Sequence, residues 1–187
     1  MSPQAQAAAP ARAGLLPLPA RLEAEAAATA ELLTSQRQPG AVWRGLSGEL
    51  VTAEQVVTHL ADTLALLERG GWSETPHHSG PNPVDELSET SSVRQILRAA
   101  VWALKDFAGS GDQDGPMTFA YALHRAGDTD TWSATTTVLE TALKARTGAR
   151  YANPATWAQR RGRTLEDLRE LAAVAAEAAR RTGPREA

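Results

Sequence analysis

The sequence contains no cysteine. Disulfides and thiolate metal sites are thereby excluded, and a reducing compartment suits the chain. Aromatic residues other than tryptophan are scarce, with two Phe and two Tyr. The only lysines are Lys105 and Lys144, so arginine carries nearly all the positive charge. That bias, beside abundant Ala, Gly and Pro, reflects GC-rich coding rather than mechanism. No run approaches the ~20 apolar residues of a spanning helix. Leu15, Leu16 and Leu18 are interrupted by Pro17 and Pro19, which predicts neither a signal peptide nor an anchor. A soluble, cytoplasmic chain is expected. No stretch alternates apolar and polar residues in the manner of a half-buried strand, so no sheet is expected. Thr135-Thr136-Thr137 is the single strand-like spot, and helical spacing flanks it on both sides. The P-loop, the dinucleotide Gly-rich turn and the Gly-x-Ser-x-Gly nucleophile elbow are all missing. No cofactor is expected.

What is present is helical punctuation. Residues 1–19 are rich in Pro, Ala and Gln and predict a disordered tail. Residues 20–51 predict a weak, Ala-rich helix over 20–34, carrying Leu22, Leu32 and Leu33, followed by a Gly-rich linker. The helical domain is expected over 52–183. Its first helix opens on a capping box, Thr52 with Gln55, and closes at Gly70-Gly71. A long loop runs from Trp72 to Thr90. The next helix carries the apolar stripe Val93, Ile96, Leu97, Ala100, Val101, Leu104 and Phe107, with Trp102 beside it as a core residue. Pro116 suits the first turn of a short helix that ends at Gly127. Thr131 or Ser133 starts another that ends at Gly148. Asn153-Pro154 opens a short helix, and Thr164 with Asp167 caps the last one. The expected fold class is all-α: one bundle of five to six helices behind the tail.

Charge is unevenly spread. From Glu49 to Glu89 there are eight acids and one base, Arg69. From Lys144 to Arg163 there are six bases and no acid. Arg146, Arg150, Arg160, Arg161 and Arg163 are therefore candidate contacts for an anion or a nucleic acid, because guanidinium groups grip phosphate. The competing reading is that they pair internally with the acidic segment, or are simply solvated. Trp43 and Trp72 fall in loops, where a tryptophan either plugs the core or meets a partner. His77-His78, followed by Asp85, Glu86 and Glu89, is the one place where a metal or acid–base site is conceivable. The spacing matches no defined metal motif. Asp112-Gln113-Asp114-Gly115 matches part of a calcium loop, but no Glu follows at the required distance. His59 reads as a boundary or surface residue, and His124 as a helix-end cation.

Three stretches carry a resemblance: Thr52 to Gln55 running on to Glu68-Arg69-Gly70-Gly71-Trp72, Ser92 to Ala100, and Thr156-Trp157 through Gly162-Arg163-Thr164 to Leu168. This pattern resembles a family of small all-helical proteins of actinobacteria and their phages and plasmids, a domain of unknown function. The likeness covers roughly residues 50–180. Members often have Asn or Asp after the tryptophan and a Cys in the central helix; here Ala158 follows Trp157 and no Cys exists. The resemblance implies a helical fold and no particular activity. The functional expectation is a non-enzymatic helical binding or accessory protein, regulatory in kind, with a protein partner or self-association. Two alternatives are a nucleic-acid-associated factor using the basic 144–163 segment and a metal-dependent enzyme using the 72–90 loop.

Overall fold

The computed structural model describes residues 18–36, 38–74, 91–107 and 116–185, without the side chains of 18, 19, 39 and 102–107. Among them are seven α-helices and one 3-10 helix and no strand: α1 (Leu18–Thr34), the 3-10 turn (Pro39–Trp43), α2 (Ala53–Gly70), α3 (Val93–Phe107), α4 (Phe119–Arg125), α5 (Thr129–Thr147), α6 (Pro154–Ala158) and α7 (Leu165–Thr182). The fold is all-helical as expected, with more than the expected five to six helices.

The difference lies mainly in α1. A thin apolar face predicts weak docking, yet α1 packs on α7 and α5 as extensively as any helix of the bundle. Ala26, Thr29 and Leu33 are almost fully buried there. Small side chains let helix axes approach closely, so an Ala-rich face can bury well. Arg21 adds a contact to Glu170 at 2.5 Å, and Glu25 accepts from Arg146 at 2.7 Å. These four charges, each no more than a quarter exposed, tie α1, α5 and α7 together. The expected linker is also ordered. Val42 and Trp43 are buried, and the chain folds back so that Val51 donates to the Trp43 carbonyl at 2.8 Å. Trp43 is thus the plug of its two readings and leaves the set of partner contacts.

Local signals set most helix ends. Both halves of the Thr52/Gln55 box and of the Thr164/Asp167 box are formed. Asn153 caps α6 with Pro154 in its first turn. Gly148 ends α5 in the left-handed region at φ 67°, which a side chain would strain. Two starts differ from expectation. α5 begins at Thr129, because Asp128 accepts from the amides of Asp130 and Thr131, each at 2.9 Å. α4 begins at Phe119, capped by Thr118. Pro116 instead precedes a short parallel bridge in which Met117 pairs with Trp72. Thr135 to Thr137 lie inside α5.

The core is built by α2, α4, α5 and α7 around Val56, Leu60, Phe119, Val138, Leu139, Leu168 and Leu171. Each such side chain contributes about 1.5–3 kcal/mol by leaving water. The end of α7 closes on the start of α2. The Ala53 amide donates to the Pro184 carbonyl at 2.9 Å, and Gly183 sits where a Cβ would press on Ala53 and Trp43. His59, expected at the boundary, is buried at 2% exposure. Its Nε2 lies 2.8 Å from the Leu123 carbonyl, which makes Nε2–H the donor. Burial holds its pKa below the ordinary histidine value. Gly127 packs directly on the ring and has no room for a side chain.

Candidate functional site

The basic segment does not act as one patch. Arg146 faces inward from α5 and is committed to Glu25 and Glu170. Arg163 stacks its guanidinium over the Trp157 ring, 4.1 Å from the centroid, and lies 3.7 Å from Asp167. That stack is worth about 0.5–2 kcal/mol and holds the turn before α7 in place. Arg150, Arg160 and Arg161 are exposed and form no ion pair among the described residues. Arg150 only leans over Tyr151, at 5.5 Å. Of the five candidate arginines, two are structural and three face solvent.

Among the described residues the acidic segment meets the basic end of the chain at two points. Glu74 accepts from the Gly162 amide at 3.2 Å, beside the arginine cluster. Glu68 pairs with Arg169 of α7 at 3.0 Å, on the surface. Neither acid pairs with one of the five candidate arginines, whose ion-pair partners among the described residues come from α1 and α7 instead.

Between the end of α5 and the start of α6 lies a cleft of about 440 Å³. Its walls include Glu140, Lys144, Tyr151, Trp157 and Arg160. Tyr151 is 80% exposed, whereas Trp157 is 6% exposed and its buried Nε1 has no hydrogen-bond partner. Glu140 and Lys144 lie one helical turn apart without forming an ion pair. Sequence reasoning found Arg160 but not Tyr151, Lys144 or Glu140 as one wall. The available signal was Gly148 followed by Asn153-Pro154, which folds α6 back on the end of α5.

α3 is the second candidate surface. Its stripe is exposed: Val93 at 73%, Ile96 at 49%, Leu97 at 59% and Val101 at 51%. No other helix packs extensively on it among the described residues. Arg94 and Arg98 are exposed, and helical register puts both on one edge of the stripe. Ser92 and Gln95 cap it by mutual hydrogen bonds. The side chain of Trp102 lies outside the described residues.

Trp72 is half-buried against the core and its Nε1 is unpartnered. His77, His78, Asp85, Glu86, Glu89 and the Asp112–Gly115 turn lie outside the described residues. Among the described residues no group of three or more His, Asp or Glu could hold a metal ion. Likewise, no described helix is long and apolar enough to cross a membrane.

No protein-family model matches the chain, and comparison with curated proteins and with solved structures finds none that matches.

Proposed function

We propose that the protein is a non-enzymatic binding protein, accessory or regulatory in kind, and that α3 holds its protein partner. The observation that supports this is the row of exposed Val93, Ile96, Leu97 and Val101. A helix presenting an apolar row to water gains about 25 cal/mol for each Å² a partner covers. The chemistry of the partner follows from the charge pattern. Arg94 and Arg98 lie along one edge of the row, so the partner carries an apolar groove with acids along the matching rim. A second copy fits poorly. Antiparallel self-pairing sets the basic edge against itself, and the opposite edge holds Ala99, already buried at 1% exposure. An actinobacterial family of small helical proteins remains part of this proposal, carried by the Arg69-Gly70-Gly71-Trp72 helix end and the Gly162-Arg163-Thr164 turn.

A photo-crosslinker at Leu97, activated in cells, tests the reading. The expected result is one discrete adduct to a different, acidic protein, lost with Ile96→Glu. A ladder of unrelated adducts, or an adduct to the same chain alone, overturns it. A second reading, nucleic-acid association, rests on exposed Arg150, Arg160 and Arg161. With three such side chains the salt slope of binding is about −3 or shallower. A gel shift at low and moderate salt decides; no shift at low salt removes it.

A further inference from the structure

We infer that the cleft between α5 and α6 is a binding site for a small aromatic anion, a planar ring bearing a phosphate or carboxylate. This site is separate from the α3 surface and stands or falls independently of it. Four observations converge. The cleft has a volume of about 440 Å³, within the range of natural small-molecule pockets. Two cations, Lys144 and Arg160, stand on its wall without ion-pair partners among the described residues. With a single carboxylate, Glu140, beside these two cations, the cleft lining carries a net positive charge that favours an anion. Two aromatic side chains, Tyr151 and Trp157, line the same cleft. Tyr151 is 80% exposed, and such a ring gains by stacking on another flat surface. Finally, Trp157 is 6% exposed and its Nε1 donor is unpartnered. A buried donor left unsatisfied costs free energy, and a ligand acceptor in the cleft offers it a partner once the wall adjusts.

The remaining wall refines the ligand. Glu140 lines the same cleft without forming an ion pair, so a ligand that also carries a ring amine or hydroxyl is favoured over a bare hydrocarbon ring. Arg163 stacks on the Trp157 indole, 4.1 Å from its centroid, which makes the ring's own cation a neighbour of the cleft.

The test is titration calorimetry on the full chain with adenosine 5′-monophosphate, 4-aminobenzoate and inorganic phosphate. The expected result is saturable one-to-one binding of at least one of the two aromatic anions, at least about tenfold tighter than inorganic phosphate. Saturation by the nucleotide identifies the anionic group as phosphate, and saturation by the benzoate identifies it as carboxylate; either supports the site. Arg160→Gln and Tyr151→Ala, both at exposed positions, each weaken binding about tenfold with an unchanged melting temperature. Arg161→Gln, one residue from Arg160 and off the cleft wall, leaves affinity unchanged. No saturation by either aromatic anion up to several millimolar overturns the site, as does phosphate binding as tightly as both. Equal loss with Arg161→Gln and Arg160→Gln overturns it too, because diffuse charge rather than the cleft then carries the binding.

Discussion

α3 and α7 carry the same kind of apolar stripe and meet opposite fates. Leu168, Leu171, Val174 and Ala178 of α7 are sealed in the core, while Val93, Ile96, Leu97 and Val101 of α3 face water. Periodicity records that a stripe exists. What covers it depends on residues far away in sequence. α7 is covered by α1, α2 and α5. The comparison teaches that a stripe left over after the bundle closes belongs to an outside surface.

The comparison breaks or sharpens under substitution, and the largest effect belongs to α7. Leu171→Ala is expected to lower unfolding free energy by about 3 kcal/mol in urea denaturation, by lost transfer energy and a cavity. Leu97→Ala in α3 should stay within about 0.5 kcal/mol, and a cost like that of Leu171 would show that α3 is covered after all. Next comes Arg146→Ala, expected to cost about 1–2 kcal/mol because Glu25 and Glu170 are left to share Arg21 alone in a half-buried place. Arg161→Ala, from the same basic segment, should be near neutral by the same assay. Gly127→Ala drives a methyl group into the His59 ring and is expected to cost about 1–2 kcal/mol.

The smallest effect is a pH dependence. His59 has a folded-state pKa lowered chiefly by burial, with the Leu123 carbonyl, Asp128 and Asp62 opposing. Between the ordinary value near 6.5 and the lower folded value, the unfolded chain binds a proton that the folded chain refuses. Stability therefore falls as pH drops from about 6.5 through the folded pKa, and levels off below it. Thermal melts from pH 7.5 to 5 should show this slope, flattened in His59→Gln. An unchanged slope in the variant would place the proton elsewhere.

Much of the helical framework was legible because caps are local. Thr52 with Gln55, Thr164 with Asp167, and Asn153-Pro154 need only neighbours within one turn. Asp128 was missed for α5, although its carboxylate outbids the hydroxyls of Thr131 and Ser133 by accepting three hydrogen bonds. The docking of α1 was not legible, because it depends on Glu170, which lies 149 residues from Arg21. Nor did spacing reveal that His59 is a core residue, since its partner carbonyl at Leu123 is 64 residues away. At the candidate sites the arginines were found, but their division was not. Arg146 and Arg160 look alike in sequence; only the arrival of α1 and α7 takes the first inside and leaves the second on a cleft wall.

That α1 and α2 both rest mainly on α7 has a consequence for how the protein is made. Synthesis delivers α7 after the other described helices, so the parts of α1 and α2 that rest on it wait uncovered until its first residue, Leu165, has been added. Contacts so distant in sequence also close slowly once the chain is free. A chain cut at Thr182 loses the Pro184 carbonyl and the Gly183 seat on Trp43, and every helix is then present with the latch undone.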